Sequence, residues 1–149
     1  MNKIWVYLDH FMGEALGASW EALGAAQVLA GQLGSGVTAV VFGQGLDKLV
    51  SEAFQYGAAD VLVADDATLR DFRPEPFTSL IAKLAAESAP NAILFPTTTR
   101  GRELAAMAAI GSIIGSKLMK NKVSSVQLKR IIGILLWLIA AKMIFDLIR

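Results

Sequence analysis

A chain of 149 residues, 54% of them hydrophobic, has room for one ordinary core, or for a small core plus an appendage. It contains no cysteine, which excludes disulfides, thiolate nucleophiles and Cys-ligated metals. The formal net charge of +1 conceals two opposed halves: residues 1–109 carry seven Lys/Arg against twelve Asp/Glu, whereas residues 110–149 carry seven Lys/Arg against Asp146 alone, an asymmetry that marks two units with different surroundings.

The opening MNKIWVYLDH has too short an apolar run for a signal peptide, so the first unit is expected in the cytoplasm. Within it, Ile4–Leu8 is a short β-branched and aromatic run that empties into Asp9, His10 and a loop containing Gly13, the pattern of a buried strand. Ser19 is placed to cap a helix running to about Leu33, with Glu21 in its first turn. Trp20, Leu23, Ala26, Gln27 and Ala30 share a face of that helix, and Gly34-Ser35-Gly36 stops it. Val37–Phe42 is a second strand; Gly43-Gln44-Gly45 then opens a helix over about Leu46–Gln55, ended by Gly57. Asp60–Ala64 is a third strand, followed by Asp65-Asp66. A connection containing Pro74 and Pro76 leads to a helix of roughly Phe77–Ser88, which Pro90-Asn91 breaks. Ala92–Phe95 is the fourth strand, running into the polar loop Pro96–Arg102 and a further helix. Four short apolar strands alternate with helices, and none shows the alternation of a half-exposed sheet. The fold class is therefore α/β, a doubly wound parallel sheet covered on both faces, with 3-2-1-4 as the leading strand order.

The second unit begins near Ile110. Residues 110–130 form a connecting segment with a small-residue pattern at Gly111–Ser116 and a basic stretch from Lys117 to Arg130. This stretch lacks the interleaved aromatics of a nucleic-acid surface. Residues 131–148, IIGILLWLIAAKMIFDLI, would span roughly 27 Å as a helix, close to a bilayer core of about 30 Å. Lys142 and Asp146 count against insertion, but they sit near the end of the segment at i,i+4 spacing and can pair or snorkel. The basic residues precede the span, so it is expected to anchor the first unit at the inner face of a membrane. The alternative is an amphipathic helix packed on the first unit.

Sites in open α/β sheets lie beyond the carboxyl ends of the strands, which here are Asp9-His10, Gly43–Gly45, Asp65-Asp66 and Pro96–Arg102. The Gly43-Gln44-Gly45 turn can cradle a phosphate on backbone amides. It lacks the third glycine of a dinucleotide fingerprint and the Lys-Ser/Thr of a P-loop, and a tight turn explains it as well. Asp65-Asp66 suits a ribose or a metal, or more plainly a helix cap or turn. His10, the only histidine, has no partner visible in the sequence and reads as a surface or loop residue rather than a base. The loop Thr97-Thr98-Thr99-Arg100-Gly101-Arg102 gathers three hydroxyls, two guanidinium groups and a helix N-terminus, the ingredients of an anion or partner site. The competing reading is that the threonines cap the helix while the arginines form salt bridges within the protein or at an interface. No catalytic constellation and no metal-ligand spacing is present.

Over about Lys3–Ala109 the stretches IWVYLDH, SWEALGAAQVLAGQLG, VTAVVFG, YGAADVLVADD and ILFPTTTRGRELA agree in order and spacing with one family: this region resembles the N-terminal domain of the electron-transfer flavoprotein alpha subunit. The resemblance implies a nucleotide-hydrolase-like doubly wound fold, a flavoprotein beta-like subunit as partner, and a part in passing electrons from dehydrogenases to a further acceptor, which can be a membrane redox protein. The FAD of that family is held mainly by a separate C-terminal domain absent from this sequence, so no cofactor is expected on this chain alone. After Ala109 the family pattern stops. Residues 110–149 resemble, more weakly, the last hairpin of sulfite-exporter-type permeases, and a single span makes no transport path.

The expectation is an electron-transfer module that docks a subunit or partner and is an electron carrier fragment rather than an enzyme. Two alternatives remain: a nucleotide (AMP or ATP)-binding domain, and a join of a flavoprotein fragment to a permease fragment without selected activity.

Overall fold

A computed structural model describes residues 3–120; the hydrophobic segment 131–148 and most of the basic stretch before it lie outside the described residues, as does the permease-like hairpin beyond Lys120. Strand β1 covers Lys3–Tyr7 and is followed by two short strands, β2 (His10–Phe11) and β3 (Glu14–Ala15). The succession continues with α1 (Gly17–Leu33), β4 (Gly36–Gly43), α2 (Asp47–Gln55), β5 (Asp60–Asp65), a 3-10 turn at Ala67–Leu69, α3 (Pro74–Ser88), β6 (Ala92–Leu94) and α4 (Thr99–Lys120). The first compact unit ends at Gly111.

Four strands form one parallel sheet in the order β5-β4-β1-β6. Counting only its own strands in chain order, this is 3-2-1-4, the arrangement expected from right-handed crossovers. Alternate residues of the central strand β1 feed two cores, as a period of two requires. Ile4, Val6 and Leu8 pack with Leu23, Ala26 and Ala30 of α1 and Leu49 and Ala53 of α2. Trp5 and Tyr7 pack on the opposite side with Phe77 and Ile81 of α3 and Leu104 of α4. Both faces of the inner strands are thus covered, which is why they read as unbroken apolar runs.

The outer strand β5 departs from that reading. None of its residues is fully buried and Val63 is 50% exposed, because an edge strand is covered on fewer sides. Strand β6 forms the other edge.

Three local expectations need correction. Ser19 does not cap α1: the helix starts at Gly17 with Leu16 as its N-cap residue, and no side chain caps it. Ser19 instead lies fully buried on the inner face, and its hydroxyl is engaged by strand β1, as described below. The buried stripe is accordingly Ser19, Leu23, Ala26 and Ala30, while Trp20 stacks on Tyr56 at 4.2 Å and Gln27 donates to the Tyr56 carbonyl at 2.6 Å. Helix α3 begins at Pro74, three residues before Phe77. Both prolines fall in its first turn, where a missing N–H costs no hydrogen bond. The loop after β1 is a two-stranded antiparallel hairpin, β2 with β3, whose tip places Met12 (φ 50°) and Gly13 (φ 81°) in the left-handed region, as a tight two-residue turn demands.

Among the described residues no helix is long and apolar enough to cross a membrane.

Candidate functional site

The carboxyl ends of β1, β4 and β5 converge with the start of α4, and their geometry is set by a few side chains that bond main chain. At the end of β1 the Leu8 amide donates to the Val40 carbonyl at 2.9 Å. The next residue, Asp9, is gripped by Ser19: the Ser19 hydroxyl donates to the Asp9 carbonyl at 2.8 Å and accepts from the Asp9 amide at 2.9 Å. This clasp turns Asp9 into the core, where it is 1% exposed.

His10 follows, half-buried. Its Nε2 lies 2.9 Å from the Phe42 carbonyl, and its Nδ1 accepts from the Gly13 amide at 3.2 Å. That network assigns the ring proton to Nε2 and leaves neither nitrogen free for a ligand, so His10 acts as a main-chain tie between the hairpin and β4. Gly43 makes this possible, since a Cβ there would fall 2.8 Å from the imidazole.

The glycine turn after β4 is likewise filled from within. Asp65 accepts from the Gly45 amide through Oδ1 at 2.9 Å and from the Leu46 amide through Oδ2 at 2.8 Å. A carboxylate of the protein therefore sits where a phosphate would sit at the entry to α2. Gly45 holds φ 72°, which favours glycine. Asp66 caps the 3-10 turn, accepting from the Thr68 amide at 2.8 Å and hydroxyl at 2.7 Å, and those bonds hold its carboxyl below the usual range. Both aspartates thus serve as cap and turn.

The loop from Thr97 to Arg102 divides by direction. Thr98 caps α4, its hydroxyl accepting from the Gly101 amide at 2.9 Å. Gly101 is buried against Pro96 with no room for a Cβ, which would also meet Thr98 Oγ1 at 3.0 Å. Arg100 points back to the strand ends. Its Nη2 lies 3.1 Å from Asp9 Oδ1 and donates to the His10 carbonyl at 3.0 Å, and the guanidinium carbon is 5.6 Å from the centre of the Phe72 ring. Thr97, Thr99 and Arg102 are exposed, and among the described residues Arg102 makes no ion pair. Of the six loop residues, the structure brings Thr98, Arg100 and Gly101 into the strand-end network and leaves the other three on the surface.

Neither carboxylate oxygen of Asp9 accepts a hydrogen bond. The contact with Arg100 is a short charge pair whose angle is wrong for one, so the guanidinium is the main compensation of a buried charge. The same carboxylate acts on Tyr7. Burial pushes the Tyr7 phenol well above its ordinary value, Asp9 adds to the rise, and Arg100 opposes it.

Above this network is a cavity of about 540 Å³ lined by Phe11, Met12, Gln44, Arg70, Phe72 and Arg100. Phe11 and Met12, at the hairpin tip, are 65% and 76% exposed. Among the described residues no group of acidic or histidine side chains is placed to hold a metal, and of the polar side chains that line the cavity His10 and Arg100 are engaged by main-chain and ion-pair contacts. Sequence reasoning missed Phe11, Met12, Arg70 and Phe72. Phe11 and Met12, apolar residues next to Gly13 in the loop after β1, carry the one sequence signal that could have found this lip.

A family profile described as electron transfer flavoprotein domain matches residues 4–112. The chain is 32% identical over 117 residues to Protein FixB of Azorhizobium caulinodans, covering 76% of this chain and 32% of that protein. It is 33% identical over 104 residues to the electron transfer flavoprotein subunit alpha of Thermoanaerobacterium thermosaccharolyticum, covering 70% of this chain and 32% of that one. The chain therefore spans about a third of the length of these curated relatives. Among solved structures, it is similar to a universal stress protein crystallised with cAMP, at a TM-score of 0.46 and 16% identity over 73% of this chain and 88% of the other.

Proposed function

The chain belongs to the electron transfer flavoprotein domain family, and from that membership we propose that residues 1–109 serve electron transfer as an alpha-type N-terminal domain, by docking a beta-type subunit and without holding a flavin of their own. Family membership implies the electron-transfer role, and an electron carrier rather than a catalyst. The docking reading draws on the relatives, one of which is named as a subunit alpha, and on one structural observation.

That observation is the Asp65 carboxylate on the Gly45 and Leu46 amides. A flavin pyrophosphate or a nucleotide phosphate at this crevice needs those amides free and an unopposed positive helix end. Here an internal anion already takes both, so the residues present do not fit a phosphate-bearing cofactor. The same point weighs against the AMP- or ATP-binding alternative. What the crevice offers instead is an apolar lip, Phe11 and Met12, beside the guanidinium groups of Arg70 and Arg100, a composition typical of the centre of protein interfaces.

The test is co-elution of the purified chain with a beta-type flavoprotein subunit in gel filtration, with the absorbance spectrum recorded on the chain alone. A shared peak that Phe11→Ser/Met12→Ser abolishes, together with a colourless chain, supports the reading. Separate elution, or a stoichiometric flavin band on the isolated chain, would overturn it. Attachment to a membrane through residues 131–148, with or without a membrane redox partner, rests on the sequence alone; recovery of the protein in the soluble fraction after alkaline wash of membranes would sink it.

A further inference from the structure

The hairpin that carries Phe11 and Met12 pairs β2 with β3 over a very short ladder, and its base and its tip are held differently. At the base the Leu16 amide donates to the Asp9 carbonyl at 3.0 Å, and Arg100 donates to the His10 carbonyl. Two polar contacts tie the tip to the rest of the fold. One is the ion pair of Glu14 with Lys48 of α2, both exposed, and a pair so wet contributes little. The other is the His10 ring, which donates from Nε2 to the Phe42 carbonyl of β4 and accepts at Nδ1 from the Gly13 amide. Gly13 is buried, although Met12 and Glu14 on either side of it are exposed.

The Gly13 bond exists in one protonation state only. A neutral imidazole donates from one nitrogen and accepts at the other, whereas an imidazolium donates from both. Proton uptake therefore turns Nδ1 from the acceptor of the Gly13 amide into a second donor facing it at 3.2 Å. The Nε2–H bond to Phe42 survives, so the ring stays on β4 and the Gly13 end gives way. The surroundings offer the new N–H nothing in exchange. Asp9 is matched by Arg100, Glu14 by Lys48, and Asp65 by the Gly45 and Leu46 amides. Arg70 and Asp71, which line the same cavity, are exposed and opposite in sign. Among the described residues no carboxylate pairs with the ring.

We infer that His10 is a pH-sensitive latch: its neutral ring holds the Phe11–Met12 tip in place, and its protonation releases the tip at Gly13. Histidine is the side chain that ordinarily changes charge between about pH 5 and 8, so the lip is fixed at the alkaline end of that range and loosened at the acid end. The latch regulates the docking surface proposed above and rests on that reading for its consequence. A released tip has to be ordered again when a partner binds, and affinity falls accordingly.

Latch and consequence are measured separately, both on the full chain. Met12-Gly13 is the one Met-Gly pair in the sequence, so methionine labelled with carbon-13 at the carbonyl and glycine labelled with nitrogen-15 together select the Gly13 amide signal. His10 is the only histidine, so its ring protons report its own titration. Between about pH 8 and 5 the Gly13 signal is expected to move upfield, as a lost hydrogen bond requires, on the same curve as the ring. In His10→Asn the side-chain oxygen can still accept from the Gly13 amide and takes up no proton in this range, so the signal is expected to stay in place. In the second arm, affinity for a beta-type flavoprotein subunit is expected to fall about tenfold across that range in the parent and less than about twofold in His10→Asn. A Gly13 signal that does not titrate, or that titrates with a midpoint different from the ring's, overturns the latch, and this comparison needs no variant to fold. A titrating signal with an affinity flat in pH overturns its control of docking. Absence of beta-type subunit binding at every pH sinks the docking reading instead, while the Gly13 curve still decides the latch.

Discussion

Replacing Arg100 by methionine keeps most of the aliphatic stem over Phe72 and removes the charge that compensates Asp9. The magnitude follows from burial. Asp9 is 1% exposed and neither of its carboxylate oxygens accepts a hydrogen bond, whereas Arg100 is 28% exposed. Breaking a fully buried pair costs about 3–5 kcal/mol, and an exposed one is worth about 0.2–1 kcal/mol. A pair with one partner buried and the other partly wet falls between them, at about 2–3 kcal/mol, including the lost bond to the His10 carbonyl. Against a total stability of about 5–15 kcal/mol this is a large fraction. The assay is urea unfolding of the full chain followed by tryptophan fluorescence, run as a cycle with Asp9→Asn. In the wild-type background Asp9→Asn removes a charge that Arg100 needs; in the Arg100→Met background it removes the orphaned charge itself. The second step is therefore expected to cost less than the first, or to restore stability. A loss below about 1 kcal/mol for Arg100→Met, or losses that simply add with no coupling, would refute the reasoning.

Gly101→Ala places a Cβ against the Pro96 carbonyl and 3.0 Å from Thr98 Oγ1, and should lower stability by about 1–3 kcal/mol, the range for overpacking, as read in the same unfolding assay. Asp65→Ala frees the Gly45 and Leu46 amides and should cost about 1–2 kcal/mol as a lost cap. The variant should also gain more stability from added sulfate than the parent does, at matched ionic strength, because the vacated amides then bind an anion; equal gains would show that Asp65 was not filling an anion position. For Tyr7 the sign is fixed by the direction of the shift. Its phenol is raised above the ordinary value of 10.0, so its contribution is present in full below that pH and is lost as the pH rises above it, where the unfolded chain ionises and the folded one does not. Tyr7→Phe should flatten the alkaline fall in melting temperature, and an unchanged slope would contradict the assignment.

Much of the fold was legible because it is written locally. The runs Ile4–Leu8 and Val37–Phe42 are apolar on both faces, and only a strand covered twice needs that. The glycines at 34 and 57 ended helices where the backbone has positive φ. What the sequence concealed depends on partners distant in the chain. Ser19 looked like a cap because serine usually is one, but Asp9 competes for its hydroxyl from ten residues away. Arg100 looked like half of an anion site, and its partner His10 is ninety residues off. Pro74 and Pro76 read as a connection because proline breaks helices, although not in the first turn. The hairpin turn was hidden because the first of its two left-handed residues, Met12, is not a glycine. The tilt of each side chain at the strand ends, inward or outward, is a tertiary fact that no local pattern carries.

Three internal contacts, taken together, decide how this end of the sheet can be used. Asp65 fills the helix entry that an open α/β fold offers to phosphate. His10 spends both ring nitrogens holding the hairpin to β4. Arg100 spends its charge on Asp9 and its plane on Phe72. Each removes a group that a small anionic ligand would need, and each also stiffens the base from which the hairpin projects. A stiff base matters more for docking than for catalysis of bound substrate, because an interface loses affinity with every side chain it must order. Phe11 and Met12 emerge from a two-residue turn whose strands are pinned by those contacts, so their exposed surface is presented with little conformational freedom left to lose. In the docking reading proposed above, the residues that close the crevice to phosphate are therefore the ones that would hold its rim as a contact surface.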